Sequence, residues 1–386
     1  PGEEAFVIKS TPARAEARAM LRRAPSSLAS AISAFANGRH RVARELLGAH
    51  QDGRVAAHAP VRAPVGAHAP ELLLVNRLGH NLAGVLAHHA GDHEAAARDL
   101  SSALRVAETQ SRSGLGHDAY VDLAGVLIDT AVNELARGHA EPARHALKRA
   151  RYMSERAYRP DARLLAMCDA VAAELALSSG DRLGALRCSI DAVARAHHEL
   201  GTPQPGGPGG GAVRAGVRAS VACVRVRCLR TNGLHAEAVE AATAALAEYD
   251  ATYGGGAPIA DVGAGAGAEA EAEAPSAHPL PLVHARLLTA HALALRAAGS
   301  AAGSQHAGVD IDIVLALRHA QLLLEGELGA GHAHARIGEA NAEASKRGPR
   351  AGLALRDLPL LPPGLGLADT DPSDLAWRPV GLGAGA

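Results

Sequence analysis

Histidine is the most abundant versatile side chain here, with 21 in 386 residues, and His88, His89 and His93 fall close together. Chelation from a helix needs two imidazoles four apart on one face, as in HExxH. His89 and His93 have that spacing, but Gly91 between them marks a break between helices, and the chain contains no HExxH. His332 and His334 stand two apart in a Gly- and Ala-rich stretch that reads as a loop. All five imidazoles are expected to be solvated or helix-end groups, not metal ligands. The four cysteines (Cys168, Cys188, Cys223 and Cys228) form no CxxC pair and are too few for a disulfide framework. They read as small buried hydrophobes in a reducing compartment. GxxxxGK[ST] and GxSxG are both missing, so neither a phosphate cradle nor a hydrolase elbow is written here. The expectation is a chain with no catalytic residues, no cofactor, no metal and no small-molecule substrate.

Composition narrows the classes further. Thirty-nine basic residues face 40 acidic ones, a net charge of -1, whereas domains that grip phosphate backbones usually carry a basic excess. Aromatics are 2% of the chain and hydrophobic residues 48%, with Ala and Leu prominent. Such a core suits closely spaced helices and suits sheets poorly, since strands favour β-branched and aromatic side chains. No run of apolar residues is long enough to cross a membrane. Residues 9–33 are rich in Arg (Arg14, Arg18, Arg22, Arg23), Ser and Ala against one acid, Glu16, which is the composition of a transit peptide. An ordinary first helix is the preferred reading of that stretch.

The elements that must position any site come from an internal repeat. After Gly91, small or aliphatic residues follow at five, nine and twelve (Ala96, Leu100, Ala103). The same offsets recur after Gly138 (Ala143, Leu147, Ala150), Gly180 (Ala185, Ser189, Ala192) and Gly233 (Ala238, Ala242, Ala245), and partly after Gly38 (Ala43, Leu47). A looser copy places one helix over 282–297, a turn at Gly299 and the partner over 311–327. Glycine permits the left-handed dihedrals that let a chain leave one helix and enter another within about two residues. Ala at five and twelve puts two methyls on one face two turns apart, where a second helix can approach closely. A hairpin of this kind cannot bury its stripe alone and must stack on the next.

These offsets resemble the tetratricopeptide repeat, over about residues 26–346. SGLGHDAY (113–120), HELGTPQP (198–205) and EGELGAGHAH (325–334) are similar to the segments of the extended, kinesin-light-chain-like type. The resemblance implies a right-handed α-solenoid of about six helix-turn-helix units, whose first helices line a concave groove. It thereby nominates Asn81, His88, Glu174, Arg227, Arg230, Arg286 and Arg296 as groove residues. The Lys/Asn/Arg clamp that some relatives use for chaperone tails is not matched, since no Lys occupies those helices.

Three stretches fall outside the pattern: a segment at 1–25, low-complexity insertions at 202–211 and 254–279, and a Pro/Gly-rich extended tail at 347–386. In the tail, Trp377 is the only tryptophan and a candidate docking anchor. At 100° per residue, Arg214, Arg218 and Arg225 share one stripe of the helix over 212–230, and Arg227 and Arg230 share nearly the opposite one. The first stripe is a candidate basic patch, weighed against a solvated face. The sequence thus predicts an all-α, non-catalytic protein–protein interaction scaffold, a subunit of a larger assembly with other proteins as partners. The alternative is a nucleic-acid-contacting subunit of a mitochondrial or chloroplast ribonucleoprotein. The Ala, Gly, Arg and Pro bias points to a GC-rich eukaryotic genome. A cytoplasmic or cytoskeletal/ciliary location goes with the first reading, an organellar one with the second.

Overall fold

The computed structural model describes residues 26–36, 39–57, 69–112, 118–157, 161–200, 211–253, 281–301, 307–346 and 355–360. Thirteen helices and no strand occur among them, as an Ala/Leu core with so few aromatics dictates. In chain order they are α1 (Ser26–Ala36), α2 (His40–Ala57), α3 (Ala69–His89), α4 (His93–Arg112), α5 (Asp118–Ala136), α6 (Ala140–Arg156) and α7 (Ala162–Ser178). There follow α8 (Arg182–Leu200), α9 (Gly211–Thr231), α10 (His235–Tyr253), α11 (Pro281–Ala301), α12 (Ala307–Leu328) and α13 (Ala333–Lys346).

The tight joins share one construction. Gly91, Gly138, Gly180 and Gly233 all take left-handed dihedrals, with φ between 77° and 81°. Each closes its helix with paired backbone bonds, which satisfy carbonyls that the helix end would otherwise leave unpaired. Gly138 N donates to the Leu135 carbonyl at 3.0 Å and His139 N to the Glu134 carbonyl at 2.8 Å. The next helix opens at once: Asp92 and Asp181 accept the backbone N–H of Ala95 (2.9 Å) and Gly184 (2.8 Å), capping α4 and α8. Two differences from the sequence reading emerge. Gly299 is not a turn, because α11 runs through it to Ala301; residues 302–306 lie outside the described residues. The fifth left-handed glycine among the described residues is instead Gly329 (φ 88°), after α12. Gly38 lies outside the described residues.

Helices pack consecutively, and the packing separates them into two layers. Odd-numbered helices from α3 to α11 also touch the next odd one (α3 with α5, α5 with α7, α7 with α9, α9 with α11), whereas even-numbered helices, α2 and α12 apart, pack on chain neighbours. The even helices are accordingly one-sided. On α4 only Ala96, Leu100, Ala103, Ala107 and Gln110 are buried, and on α6 only Ala143, Ala146, Leu147, Ala150 and Ser154. Among the odd helices α7 is covered nearly all round, with every residue from Leu164 to Val171 buried. At Gly84 a Cβ would lie 2.7 Å from Leu100 Cγ, so α3 and α4 approach there as only glycine allows.

The array also meets itself. α2 touches α12, ten helices later. The Glu327 carboxylate, at the end of α12, faces the backbone of His40 and Arg41 that opens α2. His332 Nε2 lies 3.9 Å from where a Cβ on Gly91 would stand. The helix-free segment 355–360 lies against the inner layer.

Candidate functional site

Polar side chains on the inner layer converge on that segment. Asn341 of α13 grips its main chain on both sides: Nδ2 donates to the Arg356 carbonyl at 2.8 Å, and Oδ1 accepts the Arg356 N–H at 2.8 Å. This reads peptide backbone, not side-chain identity. One residue on, the Asp357 carboxylate pairs with Arg230 at 2.5 Å and with Arg227 Nε at 3.6 Å. Arg227 also bonds Glu174 of α7 at 2.7 Å, so two arginines from α9 are shared by two acids. Burial pushes the Glu174 carboxyl above its usual range, and the facing Arg227 offsets part of that. Three leucines anchor the segment in three places. Leu355 packs against Ala292, Ile313, Leu317 and Ala342, and Leu358 against the cluster around Leu282, Leu288 and Leu324. Leu360, 6% exposed, enters the large cluster built by α4–α9.

The sequence-nominated residues are distributed as follows. Glu174, Arg227 and Arg230 meet around Asp357. His88 faces the Leu360 backbone, and its Nδ1 lies 2.8 Å from Asn133 Oδ1. Arg286 is buried and donates to Ser220 Oγ at 3.0 Å, close enough to Glu174 and His334 to influence both. Asn81 is fully buried and donates to Asp129 Oδ2 at 3.4 Å, joining α3 to α5 instead of facing the segment. Arg296 is half-buried late in α11 and forms no ion pair with the described residues. Trp377 and the insertion at 254–279 lie outside the described residues, as do residues 1–25 and all but Gly211 of the insertion at 202–211. Asn341, Asp357 and Leu360 went unnoticed in the sequence. Across LRDLPL two polar residues stand side by side among leucines and a proline, so no strand or helix period marked Asp357 or Leu360.

The candidate basic stripe faces neighbouring helices. Arg218 pairs with Glu248 of α10, its side chain only 12% exposed. Arg225 donates to Ser189 Oγ of α8 at 3.2 Å, and burial lowers its basicity. Both line a mostly apolar cavity of about 230 Å³ between α8, α9 and α10. Arg214 lies on α9, with its side chain outside the description.

The histidines stand at helix ends, as expected, but four of the five are buried and not solvated. His88, His89, His332 and His334 are at most 6% exposed, all at the seam where α2–α4 meet α12–α13. Burial holds His88 and His332 near 4 and His334 near 3, and neighbouring Arg286, Arg44 and the other imidazoles push the same way. His40, stacked on His89 at 4.7 Å, is held near 4 by burial and Arg44. His332 Nδ1 accepts the His334 N–H at 3.0 Å, which places the ring proton on Nε2. No group of three or more His, Cys, Asp or Glu side chains among the described residues converges as a metal ligand set. The cysteines are free; Cys168 and Cys228 are buried, and burial pushes their thiols up to about 12 and 11. Such thiols are poor nucleophiles. No described helix is long and apolar enough to cross a membrane.

No protein-family model matches the chain, and no curated protein matches it.

Proposed function

We propose that this chain is a non-catalytic protein–protein interaction scaffold, a subunit of a larger assembly. It would be a right-handed α-solenoid of TPR-like hairpins whose inner layer holds extended segments of its partners. The observation that carries the reading is the Asn341–Arg356 backbone pair inside an inner layer lined by Glu174, Arg227 and Arg230. That surface accepts a main chain without covalent chemistry. The repeated left-handed glycines, and the buried alanines five and twelve after Gly91, Gly138 and Gly180, support the TPR-like assignment. The thiols displaced from reactivity, and carboxylates already committed to arginines, favour binding over catalysis.

The test is a photo-reactive residue placed at Arg296, half-buried on α11, followed by purification from native extract and mass spectrometry. A discrete partner cross-linked at this site supports the scaffold. A homogeneous monomer with no co-purifying chain overturns it.

A further inference from the structure

The segment 355–360 touches the inner layer as a ligand would. It has no helix of its own, it is held at its backbone by one asparagine, and its acid completes a cluster of charges on other elements. Only Leu360 is fully buried, while Arg356 and Pro359 stand exposed. Pro359 fixes its own φ and disfavours helical geometry at Leu358, so the extended shape is partly preset.

We infer that Leu355–Leu360 is a displaceable cis ligand of the groove, and that the partner's segment is an extended peptide of the same chemistry, an acidic residue flanked by leucines. The inference rests on the scaffold reading and adds its regulation and ligand class. The acid is the specificity element. Without Asp357, Arg230 would keep no carboxylate, and its Nη1 already lacks a hydrogen-bond partner. A half-buried guanidinium left alone is costly, so the groove selects against an incoming peptide that lacks a carboxylate at this point. The leucines flanking Asp357 at two positions before and at one and three after it enter separate clusters, Leu355 and Leu358 two patches among α11–α13 and Leu360 the one among α4–α9, which sets the register. Retention of the segment comes largely from its tether. Residues 347–354 join it to α13, and a short linker holds a ligand at an effective concentration on the order of millimolar. A competing peptide in trans must overcome that concentration.

The experiment opens the tether in the folded protein. A site-specific protease sequence is inserted between Arg350 and Ala351, the protein is cut, and a fluorescent peptide copying residues 351–364 is titrated by anisotropy. Cut protein is expected to exchange its tail for the probe and to bind it at least ~10-fold more tightly than uncut protein. A probe carrying Asp357→Lys should lose binding to cut protein and regain it on the cut Arg230→Glu variant. Three results overturn the inference: a tail that neither dissociates nor exchanges, equal binding to cut and uncut protein, or indifference to the Asp357→Lys change. Loss of helical circular dichroism on cutting also overturns it, since the segment would then be an integral part of the core. Failure here is separable from failure of the scaffold reading. A permanent tail beside a captured partner sinks only this inference, and an exchanging tail with no partner sinks the scaffold and the partner's peptide while the cis ligand stands.

Discussion

At the residue scale, glycines in this chain do opposite things, and the structure distinguishes them. Gly180 ends α7 at φ 81°, where nothing crowds a Cβ and only the dihedral matters. A left-handed non-glycine residue costs about 1–2 kcal/mol, so Gly180→Ala should lower the unfolding free energy by that amount. Gly79 sits within α3 with open space around its Cβ position and no left-handed φ. There alanine removes disorder from the unfolded chain, and Gly79→Ala should raise stability by about 0.5–1 kcal/mol. Urea unfolding of both variants checks the pair, and equal effects would contradict the assignment of the Gly180 turn. Gly184 is a third kind, since its Cβ would fall on the carboxylate of Asp181 that caps α8. Gly184→Ala should therefore cost about 1 kcal/mol, the worth of an N-cap, and much less in an Asp181→Ala background.

At the element scale the decisive contact is helix against helix. A Cβ at Gly84 would press on Leu100 from 2.7 Å, and Leu100 is wholly buried. Gly84→Ala is expected to cost about 1–3 kcal/mol by overpacking, and shortening Leu100 to Ala in the same chain should recover part of it. A double-mutant cycle by chemical denaturation reads that coupling; strict additivity would mean that α3 and α4 do not meet there. This contact also shows what the sequence could disclose. The glycine turns, and the buried alanines five and twelve residues on, follow from local rules that act within one hairpin, so Ala96, Ala143, Ala185 and Ala238 were legible. Gly299 was not, because a glycine within a helix and a glycine ending one look alike when the following insertion already supplies the break. The inner layer was half legible. The resemblance to the tetratricopeptide repeat nominated side chains of α7 and α9, and of these Glu174, Arg227 and Arg230 do converge. Their counterpart Asp357 lies 127 residues beyond Arg230 in a segment without periodicity, and no local rule connects the two.

At the scale of the whole molecule, the meeting of α2–α4 with α12–α13 concentrates histidines that pay attention to pH through burial alone. His40, His88 and His332 are held near 4 and His334 near 3, against about 6.5 in an unfolded chain. A histidine whose folded value is depressed stays neutral in the fold while the unfolded chain takes up a proton. Its contribution is therefore intact above about pH 6.5 and is lost as pH falls toward 4. Raised carboxyls at Glu174, Asp169 and Glu327 act in the opposite sense, since the fold then holds protons that the unfolded chain has released. Below about pH 6.5 each depressed imidazole contributes a loss of up to about 1.4 kcal/mol per pH unit. The charges that would appear face Arg44, Arg286, Arg336 and His93 from the packed elements, so repulsion develops at the seam itself. Acidification should accordingly loosen the contact of α2 with α12 before the hairpins in between. Hydrogen exchange at pH 7 and pH 5.5 can locate the change: amides of α2, α13 and the segment 355–360 are expected to lose protection first, while α6–α8 hold theirs. Replacing His332 and His334 with Gln should flatten the pH dependence of the urea midpoint. Uniform loss of protection along the array, or an unchanged slope in that variant, would show that the seam is not where pH acts.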